Sequence, residues 1–154
     1  MRTFTGQDDL VKAVGETLGP GPWRTVEQSR VDTFADATDD HQWIHVDPVR
    51  AAQGPFGGPI AHGYLTLSLL PSLMRELYRV EGMRMAVNYG LNKVRFPAPV
   101  PVGSAIRAVA TVVSVDPVEG GVQIVLRVTV ESDAGAKPVC VHRRAPLATA
   151  CPPN

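Results

Sequence analysis

The sequence predicts an α+β fold in which an antiparallel sheet is covered by one long apolar helix, and two observations carry that prediction. Residues 60–80 form the longest apolar segment of the 154-residue chain, with Ile60, Ala61, Tyr64, Leu65, Leu67, Leu69, Leu70, Leu73, Met74, Leu77 and Tyr78 spread over most of a helix circumference. A helix that is apolar nearly all round is a buried one. After residue 85 the periodicity changes to two, most cleanly over 122–131, where Val122, Ile124, Leu126, Val128 and Val130 alternate with Gln123, Val125, Arg127, Thr129 and Glu131. Such a run of strands needs a cover on one face, and a single apolar helix supplies it.

Taken in order, Leu10, Val11, Val14 and Leu18 recur at helical spacing behind Asp8 and Asp9, which predicts a short helix over 8–18. Gly19-Pro20-Gly21-Pro22 ends it. Residues 23–30 alternate and predict a strand. Val31, Phe34, Ala35 and Ala37 return to helical period, and that helix should stop near Asp39-Asp40. Asp47 as N-cap and Pro48 at the first helical position open another short helix, halted by Gly54-Pro55. The loop from Gly54 to Pro59 leads into the long helix, where Pro71 predicts a kink. Segments 86–96, 105–115 and 122–131 are the expected strands, with turns at 97–103 and 116–121. No internal repeat divides the chain, so residues 1–154 read as a single domain. A sheet wrapped around one central helix is the hot-dog architecture.

Composition narrows the function. A chain of this length buries roughly 70% of its unfolded surface. Charged residues make up 19%, below the ~25% of an average domain, which predicts that a partner subunit covers part of the surface. Lys+Arg and Asp+Glu both number 15, so no net field draws a polyanion and nucleic-acid binding is not expected. Cys140 and Cys151 have no CxxC spacing, hence neither a disulfide framework nor a thiolate zinc site is readable. The start lacks a signal-peptide apolar region, and no run approaches the ~18 apolar residues of a membrane span. The expectation is a soluble, cytoplasmic protein with no membrane partner.

The densest chemistry lies in Asp39-Asp40-His41-Gln42-Trp43-Ile44-His45-Val46-Asp47-Pro48. Asp40 and His45, separated by a turn-forming stretch, suit a pair that holds one water and moves its protons. Capping by the aspartates and a hydrogen-bonded core role for His45 would account for the same residues. Further on, Pro59-Ile60-Ala61-His62-Gly63-Tyr64 opens the long helix. Free N–H groups at a helix start suit an anion or oxyanion, and Gly63 permits close approach of a ligand, or simply tight packing on the sheet. His41 and His45, with Asp40 or His62, could be drawn as a metal site, but Trp43-Ile44 between them points to turn packing, so neither metal nor cofactor is expected. The glycines match no phosphate-loop pattern, and Ser68 and Ser72 lack a nucleophile elbow.

Asp40-x-x-x-x-His45, followed by Ala51-Ala52, Gly54-Pro55-Phe56 and Pro59-Ile60-Ala61-His62-Gly63, resembles the hydratase-2 motif of the MaoC-like dehydratases, the (R)-specific enoyl-CoA hydratases. The segment from Asn88 to Gly103 is similar to this family's sheet region, and the likeness, closest to a bacterial single-domain subgroup, covers about residues 1–141. The resemblance implies a hot-dog homodimer that reversibly adds water, in syn fashion, to a trans-2-enoyl-CoA, giving an (R)-3-hydroxyacyl-CoA. It implies that Asp40 and His45 are the catalytic dyad and that the Gly63 N–H binds the thioester oxygen. Lys93 and Arg95 could then meet the phosphates of CoA, and a solvated strand face accounts for them equally well. It also leaves two other readings in view: a dehydratase of acyl-carrier-protein thioesters, and a non-catalytic acyl-thioester-binding partner subunit. The chain departs from the family at Asp39, where glycine is common, at Gln42-Trp43, where Asn-Pro is usual, and beyond His142, where the apolar alternation of the last strand breaks down.

Overall fold

A computed structural model describes the backbone of residues 1–150 and the side chains of residues 1–141. Cys151, the last residues of the atypical tail and the side chains of 142–150 lie outside that description. In chain order the elements are β1 (Arg2–Phe4), α1 (Gln7–Lys12), β2 (Thr17–Leu18), β3 (Arg24–Thr25), α2 (Gln28–Thr38), α3 (Trp43–Val46), α4 (Pro48–Ala52), α5 (Gly63–Ser68), α6 (Leu70–Met74), β4 (Tyr78–Val80), β5 (Met85–Asn88), β6 (Lys93–Arg95), β7 (Ala105–Val118), β8 (Gly121–Ser132) and β9 (Gly135–Ala150).

The architecture is the predicted hot dog. A seven-stranded sheet runs in the order β2-β7-β8-β9-β5, with β3 on β7 and β6 on β9. The long strands β7, β8 and β9 pair antiparallel, and along β8 Val122, Ile124, Leu126, Val128 and Val130 are all buried, as the alternation demands. They meet Ile106, Ala108, Ala110 and Val112 of β7 and Leu65, Leu73, Met74 and Leu77 from the helical layer. Each fully buried valine, leucine, isoleucine or methionine among them stabilises the fold by about 1.5–3 kcal/mol relative to exposure.

Several element boundaries differ from the expectation. The helix expected over 8–18 ends at Lys12 and continues as β2, because Gly15 adopts φ 90° and hands its N–H to the Val112 carbonyl at 2.8 Å. The expected strand over 23–30 shrinks to Arg24–Thr25, since Glu27 already caps α2. The long apolar helix is shorter and broken. It runs from Gly63 to Met74 with an interruption at Leu69, two residues before Pro71, and Tyr78–Val80 instead pairs in parallel with β1. Nor is it enclosed on all sides, for Tyr64 is 70% exposed. Segment 86–96 splits into β5 and β6, with every residue of β5 exposed. The break in alternation at His142 does not end the sheet: β9 continues to Ala150, held by backbone pairing to β8 on one side and to β5 and β6 on the other. Among the described residues no helix is long and apolar enough to cross a membrane.

Candidate active site

The site is assembled where three short helical elements meet. Helix α2 ends at Thr38, and Asp39 turns the chain in the left-handed region at φ 58°, ψ 20°. Glycine suits that conformation best, but aspartate is among the L-residues that tolerate it. The chain therefore needs a residue of that tolerance where the family commonly has glycine. Asp40 follows at once, and α3 then carries His45 in its single turn. Gln42 is the N-cap residue of α3 and Trp43 its first residue. The Trp43 ring lies where a Cβ on Gly54 would come within 2.9 Å of it, and the Arg50 guanidinium covers that ring at 4.6 Å. Asp47 caps α4 as expected, its carboxylate accepting the Arg50 N–H at 3.0 Å.

His45 is buried, at 7% exposure. Its Nδ1 lies 2.6 Å from the Ile60 carbonyl oxygen. A carbonyl only accepts, so Nδ1 carries the proton and Nε2 presents a lone pair. The backbone keeps this bond in register. Ile60 N–H donates to the Ile44 carbonyl at 3.0 Å, Ile60 also bridges to Pro101, and the His45 carbonyl accepts from Gln28 Nε2 at 2.7 Å. Burial is the main influence on the imidazole and pushes its pKa below the ordinary 6.5; the Ile60 bond opposes this, the neighbouring His62 adds to it and Asp40 opposes it more weakly. Burial thus favours the neutral form of the His45 imidazole.

Asp40 is more open, its side chain 52% exposed. Asp40, His45 and His62 each bring one nitrogen or oxygen within 4.8 Å of the others. The Asp40 carboxylate and the His45 ring thus lie on one small patch, each with a polar atom inside that distance. The sequence-predicted pair is therefore brought together. His41 is not part of it, being exposed and hydrogen-bonded to Asp36 at 2.9 Å.

The member that sequence reasoning left without a role is His62. It is the N-cap residue of α5 and only 2% exposed. Its ring stacks on His45 with centroids 3.8 Å apart and planes inclined by 28°, and it also meets the Phe34 ring, tilted, at 5.0 Å. Its Nε2 donates to the Asp40 main-chain carbonyl at 2.9 Å. The available signal was positional: His62 sits two residues beyond the carbonyl that orients His45 and directly before the helix-opening glycine. The two histidines and a carboxylate make a donor set known from metal sites. However, rings stacked this closely send their in-plane lone pairs alongside one another, whereas ligands of one ion must converge.

Gly63 opens α5, so its N–H is among the first-turn donors that have no acceptor within the helix. A Cβ there would lie 3.0 Å from the Phe96 ring. Tight packing by Phe96, itself edge-on to Tyr64 at 6.1 Å between centroids, is thus one reason for the glycine. Lys93 and Arg95 are exposed on β6.

Residues 9–135 match the MaoC-like domain family, and the chain belongs to it. Among its relatives, the 3-hydroxyacyl-thioester dehydratase Z of Mycobacterium tuberculosis is 57% identical over 142 residues, covering 92% of this chain and 94% of the relative. Of solved structures, the monoamine oxidase regulatory protein of Archaeoglobus superposes with a TM-score of 0.75 at 29% identity, covering 98% of each chain. An (R)-hydratase from A. caviae superposes with a TM-score of 0.70 at 24% identity, covering 90% of this chain and 96% of the other, and shares the fold.

Proposed function

We propose that the chain is a cytoplasmic, homodimeric (R)-specific enoyl-CoA hydratase, a single hot-dog domain that reversibly adds water to a trans-2-enoyl-CoA. The observation that carries this reading is the Asp40–His45 pair, with His45 locked by the Ile60 carbonyl into the tautomer that leaves Nε2 free. The pair holds one water. As the water oxygen bonds to C3, the pair takes a proton from it and delivers one to C2 on the same face. The electrons of the double bond pass toward C2 and the thioester oxygen, where the Gly63 N–H meets the developing negative charge. One such donor contributes about 3 kcal/mol in a transition state. The reaction read backwards is dehydration of a 3-hydroxyacyl thioester, which is what the name of the mycobacterial relative describes. That name does not specify the carrier, and acyl-carrier-protein thioesters are the second substrate class for the same chemistry.

The dimer reading rests on the sheet edge. Met85, Val87, Tyr89, Leu91, Phe96 and Tyr64 are exposed apolar residues around β5 and β6, and β5 ends the strand order of the sheet. An exposed edge with apolar flanks favours pairing with another copy. Hydration of crotonyl-CoA in heavy water tests the activity: the product carries deuterium at C2 and hydroxyl at C3 in the syn relation with (R) configuration at C3. An anti product, or an (S) alcohol, contradicts it.

A further inference from the structure

Asp40 needs a fixed position to share a water with His45, yet its side chain is half exposed and its loop follows a left-handed turn. The long-range hydrogen bond that holds this residue comes from His62, 22 positions further along the chain, whose Nε2 donates to the Asp40 carbonyl at 2.9 Å. The same nitrogen lies 4.0 Å from the Asp40 Oδ2. The face of the ring meanwhile lies against His45 at 3.8 Å. One buried side chain therefore touches both halves of the pair, one through a directional bond and the other through a stacked face. Its remaining nitrogen, Nδ1, is buried and has no hydrogen-bond partner among the described residues. A buried polar atom left unmatched is disfavoured, and phenylalanine would fill the stacked slot without that burden. The histidine earns its place by the bond that Nε2 makes.

We propose that His62 is a positioning residue of this site, setting the separation between the Asp40 carboxylate and the His45 ring by tethering the first and seating the second. The inference rests on the hydratase reading for its kinetic consequence, although not for its geometry. The groups facing the His62 ring are His45, Asp40 and Phe34, and the first two alone among these titrate.

The test uses His62→Phe, which keeps the stacked face and loses the donor, and His62→Gln, which keeps a donor and loses the ring, each in the wild-type and the Asp40→Asn background. Misplacement of a reacting group by about 1 Å can lower the rate by as much as ~100-fold. Both variants should lower kcat for crotonyl-CoA hydration about tenfold or more, with little change in KM. In the Asp40→Asn background His62→Phe should add little further loss, because the tethered carboxylate is already gone. An equal loss in both backgrounds, or wild-type kcat in both single variants, overturns the proposal. A readout independent of turnover is the NMR spectrum: in His62→Phe the Asp40 backbone and the His45 ring resonances should both shift, because the tether to the first and the stacked face on the second are changed, and unchanged Asp40 backbone and His45 ring shifts overturn the positioning role. Wild-type protein that turns over no enoyl thioester defeats the hydratase reading alone, and the NMR arm then decides on His62.

Discussion

Strand β8 and the segment from Asp39 to Gly63 are built to opposite specifications. In β8 every second residue is buried, each has apolar neighbours on β7 and the helical layer, and its backbone is paired on both edges. The site segment instead contains a non-glycine residue at positive φ, a half-exposed carboxylate and a buried imidazole nitrogen without a partner among the described residues. The first region is built for burial and the second tolerates features that lower stability, and on the proposed hydratase reading substitutions in the two regions should therefore fail in different assays.

The largest difference is expected in activity. Asp40→Asn changes an exposed group, so the unfolding midpoint should stay near wild type while kcat/KM for enoyl-CoA hydration falls about 10²–10⁴-fold. Loss of stability without loss of rate would erase the distinction. Ile124→Ala should do the reverse, lowering unfolding free energy by about 2–5 kcal/mol in denaturant titrations, with kcat per folded molecule unchanged. Asp39→Val sharpens the border between the regions: a β-branched side chain forced to φ 58° should be destabilising by about 1–2 kcal/mol, whereas Asp39→Gly should be neutral or mildly stabilising.

The smallest effect is the pH dependence of stability. His45 binds its proton at a lower pH in the native state than the ordinary 6.5 of the unfolded chain, so between those values the unfolded chain holds more protons. The contribution of His45 is complete above pH 6.5 and is lost as pH falls through the depressed native value. Thermal unfolding of wild type and His45→Gln at pH 7.5 and 5.5 should show the larger drop in wild type; a rise in wild-type stability on acidification would contradict the burial argument.

How much of this was legible in the sequence follows from the same contrast. The alternation in β8 could be read directly because period two reports a face buried by the chain's own core. The cap at Asp47 was legible because its hydrogen bond is local. The long helix was overread: apolar residues from Ile60 to Tyr78 imply burial but not what buries them, and Tyr64 and the β5 edge remain exposed in the single chain. Asp40 and His45 were visible as a pair five residues apart. His62 was not, since its role comes from a carbonyl 22 residues away and a stacked ring, neither of which leaves a periodic or local trace. The positive φ at Asp39 was foreseeable only as a condition, from the residue type that the family prefers there.

The measurement that bears most directly on the central claim is loss of the conjugated enoyl absorbance of crotonyl-CoA on addition of the protein, with Asp40→Asn and His45→Ala alongside and chiral analysis of the alcohol. Wild type should turn the substrate over to the (R)-3-hydroxy product, and both folded variants should lose orders of magnitude in rate. Turnover that survives in either variant, or none from folded wild-type protein with short and long enoyl chains, would contradict the hydratase reading.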